Sequence, residues 1–290
     1  MSKAVYRNYD QETLEFQYGP RLAVSNTDEI LARWAADSDA YYAESDCVRD
    51  IAYGPRAEET LDIFKPAGTN KAPVLIFIHG GYWRALDKKD HAFLPKPFVD
   101  AGALVVSINY TLCPEVTIEE ITRQARAACA WVWRNAASYG GDPDRVHVFG
   151  HSAGGHLTAA VATTDWPEFE ADLPKDLLKS ATPISGLFDL QPILLISVND
   201  DVHLDADSAV RCSPANSDPG HDMPMTVAVG GAETEEFRRQ SQYLCEKWGD
   251  KLGSIDYLET DGAYHLKVIE KMVDPNDPRN RKIIGQMCQE

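Results

Sequence analysis

The feature that most constrains this chain is the pentapeptide Gly150-His151-Ser152-Ala153-Gly154, set between two segments of opposite character. Before it, residues 146–149 (Val-His-Val-Phe) are a short β-rich run; after it, residues 153–163 (AGGHLTAAVAT) are a small-residue helical pattern. A G-x-S-x-G sequence at a strand-to-helix junction lets the backbone reverse sharply, because glycines on either side of the serine carry no Cβ to clash. The serine is thereby thrust out of the turn, and the new helix aims its free N–H groups and its positive dipole end at it. Negative charge developing beside Ser152 would be stabilised there, so Ser152 is the candidate nucleophile and the N–H of Ala153 a candidate oxyanion donor.

A junction of that kind needs a sheet to hold it, and the remaining sequence supplies one. Apolar or β-branched runs at 50–53, 60–64, 74–78, 104–108, 225–229 and 255–258 alternate with helical patterns at 88–101, 118–137, 235–248 and 266–273. Apolar runs separated by helices read as buried parallel strands, so the expected class is α/β, a mostly parallel central sheet flanked by helices. Residues 27–42 have a helical spacing of Ile30, Leu31, Trp34 and Ala35 and predict a helix in an N-terminal arm spanning 1–45. Residues 46–290 then form one catalytic domain. The stretch 165–219, rich in Asp and Pro, interrupts the alternation and is read as the place for a small lid.

The run 74–78 leads directly into His79-Gly80-Gly81-Tyr82-Trp83. A glycine loop after that strand can carry the second set of oxyanion donors, assigned to the N–H groups of Gly81 and Tyr82. His79 is read as structural. Trp83, Tyr110 and His151 are expected as walls of a substrate pocket. Where a serine is presented on such a turn, its partners follow in the chain order serine, acid, histidine. Of eight histidines only His265 lies beyond the last strand, and Glu233 lies on the loop after the 225–229 run. Glu233 is therefore the expected orienter of His265. Asp261 is its competitor, on the same loop as His265 but four residues away.

Composition narrows the partners. The net charge of −17 disfavours nucleic acid and anionic membranes, and no apolar run reaches the length of a bilayer span. Six cysteines are scattered without metal-ligand spacing, in a chain too large to need disulfide staples. No cofactor or metal is expected, and no signal-peptide pattern opens the sequence. The reading is a cytoplasmic protein with a small-molecule substrate and room for a homodimer.

Several of these segments, taken together, carry a family resemblance. His79-Gly80-Gly81-Tyr82-Trp83, Asn109-Tyr110 with Cys113-Pro114-Glu115-Val116, Gly150 to Leu157, Ser185-Gly186-Leu187-Phe188-Asp189-Leu190, Glu233 to Phe237 and His265 resemble the kynurenine formamidase (arylformamidase) branch of the α/β-hydrolases. The similarity runs over residues 30–273. It implies an α/β-hydrolase fold and metal-free hydrolysis of an N-formyl aryl amide with release of formate, by a Ser152, Glu233, His265 triad. Two departures stand out: that branch usually has Asp where Glu233 stands, and Leu112-Cys113 precedes Pro114 in place of a smaller residue. Small esters are the alternative substrates, and a non-catalytic binding protein of the same fold is the remote one.

Overall fold

The computed structural model describes residues 3–68 and 70–288; Met1, Ser2, Thr69, Gln289 and Glu290, which the sequence-drawn boundaries include, lie outside the described residues. Eight strands form one sheet: β1 Cys47–Ala52, β2 Thr60–Phe64, β3 Ala72–Ile78, β4 Leu104–Ile108, β5 Gly141–His151, β6 Leu178–Ile184, β7 Met225–Gly230 and β8 Ile255–Thr260. Their order is β1-β2-β4-β3-β5-β6-β7-β8, with β1 and β2 antiparallel to their neighbours and every pair from β4 to β8 parallel. Central strands β3, β4 and β7 are buried almost throughout, which is why they read as unbroken apolar runs. The expected α/β class is what the chain adopts.

Three expectations need correction. The first concerns residues 165–219, which are not a lid as a whole: β6 lies within them, inserted between β5 and β7. Its sequence, Leu-Lys-Ser-Ala-Thr-Pro-Ile, hides it, because Lys179, Ser180 and Thr182 break the apolar run and Pro183 is a residue that central strands usually exclude. Ser180 is tolerated because its hydroxyl bonds the buried His147 ring at 2.8 Å. Secondly, the single helix expected at 88–101 is broken into a 3₁₀ turn, Lys88–His91, and a short helix, Lys96–Asp100. Pro95 and Pro97 remove two amide donors and forbid a continuous ladder.

The arm holds the third correction. The expected helix is present as Thr27–Glu44, but an additional helix, Gln11–Tyr18, precedes it, capped by the Asp10 carboxylate accepting from the Thr13 N–H at 3.0 Å. Only Leu14 and Tyr18 of that short helix are buried, an i, i+4 pair too brief to register as a pattern. Both helices are tied down by specific bonds. The Tyr18 hydroxyl donates to the buried Glu236 carboxylate at 2.6 Å, Trp34 Nε1 donates to Glu270 at 3.1 Å, and Tyr42 donates to Asp62 at 2.6 Å. Among the described residues no helix is long and apolar enough to cross a membrane.

Burial lowers the pKa of several histidines and keeps them neutral. His147 and His156 are pushed down to about 4, and His91 to about 3. In the unfolded chain these rings titrate near 6.5, so between that value and about 4 the unfolded state binds more protons than the folded one. Stability is therefore complete above about pH 6.5 and is lost as the pH falls towards the folded values. Thermal melts should show Tm level on the alkaline side and declining already between about pH 6.5 and 5.5, before the carboxylates begin to contribute. A Tm that holds constant down to about pH 5 would contradict it.

Candidate active site

The site assembles at the carboxyl ends of β3, β5, β7 and β8, the edge of a parallel sheet where loops and helix N-termini converge. Ser152 follows β5 directly and adopts φ 59° and ψ −119°, a left-handed conformation that costs a non-glycine residue roughly 1–3 kcal/mol. Close backbone packing sustains it. The Ser152 N–H donates to the Ile184 carbonyl of β6 at 2.9 Å, and the His156 N–H donates to the Ser152 carbonyl at 3.0 Å. Gly154 lies against the end of β3 so tightly that a Cβ there would stand 1.9 Å from the Ile78 carbonyl oxygen. The second glycine of the pentapeptide is thus required by the neighbouring strand as much as by the turn.

The Ser152 hydroxyl lies 2.9 Å from His265 Nε2, and His265 Nδ1 lies 2.6 Å from Glu233 Oε2. All three residues are buried. A carboxylate can only accept, so the imidazole proton sits on Nδ1 and Nε2 is left to accept from the serine hydroxyl. His265 opens the helix His265–Glu270, and its ring is flanked by those of His151 and Phe237, each with its centroid 4.6 Å away. Asp261 is exposed; its recorded bond is through the backbone carbonyl, to Lys271. The carboxylate on the imidazole is that of Glu233.

Sequence reasoning missed what holds Glu233 in place. Its other oxygen, Oε1, accepts from the Gly230 N–H at 2.7 Å and from the hydroxyl of the fully buried Ser185 at 2.5 Å. Ser185 immediately follows β6, at φ 50°, and its N–H donates to Ala228 of β7 at 2.8 Å. Because β6 itself was not recognised, nothing in the sequence placed Ser185 beside the acid. The longer Glu side chain thus lies between two donors on one oxygen and the imidazole on the other.

The loop after β3 turns through three consecutive residues at positive φ: Gly81 at 115°, Tyr82 at 53° and Trp83 at 57°. A Cβ at Gly81 would lie 1.8 Å from the Ala85 carbonyl oxygen, so only glycine fits. Among the described residues no acceptor is bonded to the N–H of Gly81, Tyr82 or Ala153. Trp83 and Tyr110 are not pocket walls, contrary to expectation: both are fully buried beneath the loop and neither lines the cavity. Trp83 Nε1 donates to His156 Nδ1 at 3.2 Å, and the Tyr110 hydroxyl donates to the His79 carbonyl at 2.9 Å, its ring stacked on that of His79 at 4.2 Å. Their aromatic bulk shapes the loop from below. His79 is buried, bonded to Asn109 at 3.0 Å, and sits in the same scaffold.

A cavity of about 250 Å³ opens over Ser152. His151, Tyr82, Gly80 and Gly81 line it, together with residues the sequence did not assign to a pocket, including Tyr18, Pro20, Leu22, Leu31 and Trp34 of the arm. Ile196, Ser197 and Val198 add a short side, so of the expected lid only this segment faces the cavity. Among the described residues no group of three or more His, Cys, Asp or Glu could hold a metal ion.

A serine on a strained strand-to-helix turn, with a later acid and histidine on an eight-stranded, mostly parallel sheet, defines an α/β-hydrolase. Within that class, the chain belongs to the kynurenine formamidase family. It is 32% identical to the kynurenine formamidase of Danio rerio over 286 residues, 93% of this chain and 94% of that protein. Against the kynurenine formamidase of Salmo salar the identity is 32% over 235 residues, 78% and 76% of the two chains. A family model described as BD-FAE matches residues 61–201. A crystal structure from Silicibacter sp., provisionally described as a thioesterase, superposes with a TM-score of 0.83 at 32% identity, covering 94% of this chain and 98% of that one. The protein is a hydrolase with a small-molecule substrate, acting on an amide or ester.

Removal of the Ser185 hydroxyl should leave the buried Glu233 carboxylate with one donor fewer, a loss of about 1.5–3 kcal/mol for a bond to a charged group. Ser185→Ala is expected to lower kcat by about tenfold or more with KM little changed. An unchanged kcat would show that the Gly230 N–H alone suffices.

Proposed function

We propose that this hydrolase removes a small acyl group, formyl foremost, from the nitrogen of an aromatic amine through an acyl-enzyme on Ser152. The observation that carries the reading is the unbroken hydrogen-bonded line from Ser152 Oγ through His265 to Glu233. In the first step Ser152 Oγ attacks the carbonyl carbon while its proton passes to His265 Nε2. The oxyanion is received by the N–H groups of Ala153, Gly81 and Tyr82, and Glu233 stabilises the imidazolium. The C–N bond then breaks as His265 returns the proton to the departing amine nitrogen. Water, deprotonated by His265, hydrolyses the acyl-serine to formate and restores Ser152.

The cavity supports the choice of substrate. At about 250 Å³ it lies just below the roughly 300–1,000 Å³ typical of ligand sites, and Tyr18, Trp34, Leu31 and Leu22 offer it an aromatic and apolar wall. One ring with a short acyl group fits that space better than a long acyl chain. The relatives that match 93% and 78% of the chain, kynurenine formamidases, point the same way. In this reading residues 1–45 act as an arm over a catalytic domain of 46–290. The six free cysteines suit the reducing cytoplasm in which we place the protein.

Ser152→Ala should abolish turnover while the far-UV spectrum and Tm stay those of the parent. Glu233→Gln should lower kcat by orders of magnitude, about 10⁴ in a comparable triad, whereas Asp261→Asn should cost almost nothing. A collapse in Asp261→Asn with near-normal Glu233→Gln would transfer the role. The substrate class is tested by comparing kcat/KM for N-formylkynurenine and p-nitrophenyl acetate. Since the ester carries the better leaving group, an amide rate equal to or above the ester rate supports the reading, and an undetectable amide rate rejects it.

A further inference from the structure

His151, next to Ser152 in the chain and a lining residue of the cavity, is a polar side chain whose chemistry the triad leaves unused. Its Nε2 lies 2.9 Å from the backbone carbonyl of His265. A carbonyl can only accept, so Nε2 carries the proton and donates. Burial and the adjacent His265 hold the His151 pKa well below the ordinary histidine value, so the ring stays neutral. Nδ1 therefore presents a lone pair, and among the described residues nothing donates to it. His151 lines the cavity, and its ring stands beside Gly80: a Cβ at Gly80 would lie 2.8 Å from the His151 carbonyl oxygen, 3.0 Å from Ser152 Cβ and 3.6 Å from His151 Nδ1. The glycine lets the loop close against the serine and this ring, where a side chain would collide. On its other side the His151 ring packs against that of His265, whose proton must reach the departing atom.

An acceptor in that position distinguishes two substrate classes. An aryl formamide retains one N–H on the nitrogen that leaves, whereas the corresponding ester has an oxygen without hydrogen. For an amide to break down, the nitrogen lone pair must turn towards the His265 proton, which swings the N–H away from it and leaves that N–H in need of a partner. We propose that His151 is a specificity-determining residue, its Nδ1 accepting the leaving-group N–H and so favouring secondary aryl amides over matched esters. The proposal deepens the amidase reading above and rests on it.

The test pairs three aryl substrates, a formamide, its N-methyl derivative and the formate ester of the matching phenol, with the parent enzyme, His151→Leu and His151→Gln. In the parent the formamide should be favoured over the N-methyl compound; in His151→Leu the formamide-to-ester ratio of kcat/KM should fall by about five- to tenfold, the size of one hydrogen bond. Discrimination against the N-methyl compound should shrink by the same factor, and His151→Gln, which can again offer an acceptor, should recover part of both ratios. A residue that merely supports His265 would slow all three substrates together and leave the ratios unchanged, and that result overturns the proposal. Should His151→Leu not fold, the same ratios in His151→Gln and the parent's preference for formamide over N-methyl formamide decide it: no preference in the parent overturns the proposal. A parent enzyme that cleaves the ester but no formamide rejects the amidase reading, and this proposal with it; intact formamide cleavage with unmoved ratios rejects the proposal alone.

Discussion

The structure depends on one tight crossing of backbones, where the start of the helix Ala153–Ala162 meets the ends of β3 and β6. Ser152 is held at positive φ by its N–H on Ile184, and Gly154 fits against Ile78 with no room for a methyl group. The strain at the serine is tolerable because three strands and a helix all fix it from different sides. The same crossing brings the loop after β3, with its three positive-φ residues, over the serine. Donor loop and nucleophile are thus positioned by one piece of packing, so their relative geometry is set before any substrate arrives.

Around that crossing the labour is divided between two parts of the chain. The reacting groups stand on loops at the rim of the sheet, while much of the cavity wall is contributed by the arm. These parts are not independent. Thr234, the residue after the acid, donates from its hydroxyl to the Gln17 carbonyl at 2.6 Å; Tyr9 donates to Glu235 at 2.9 Å; Tyr18 donates to Glu236. The Tyr82 hydroxyl in turn donates to the Tyr18 carbonyl at 2.6 Å. The arm consequently touches the loop that carries the acid and the loop beside the nucleophile as well as the space where a substrate would lie. Acidic residues in the first turn of the helix Glu235–Trp248 suit its dipole, as sequence suggests, but Glu236 is also fully buried and anchors the arm through Tyr18 and Arg7.

What could be read in advance depended on how local the cause was. The turn at Ser152 is encoded in five consecutive residues and their flanks, and the chain order that leads to Glu233 and His265 follows from the strands before them. Most strands announce themselves because burial on both faces demands an apolar run. β6 does not, since its polar residues find partners, such as Ser180 with His147, that lie more than thirty residues away, and with β6 hidden Ser185 stayed hidden too. Trp83 and Tyr110 illustrate the opposite error: aromatic residues beside a functional loop suggest walls, yet their polar atoms are taken up by His156 and His79, and their rings lie in the scaffold. The real walls come from residues 18–34, and no local pattern marks a segment as covering a cavity more than a hundred positions away along the chain.

The bond between Tyr18 and Glu236 spans 218 positions. During synthesis the arm leaves the ribosome more than two hundred residues before the helix that anchors it. Until that helix emerges, Leu14 and Tyr18 have no surface to cover, and the half-made sheet has no roof. The pocket is thus closed by an earlier part of the nascent chain folding back onto a much later one, so a translating ribosome carries an incomplete site for as long as the 218 positions between them take to be made.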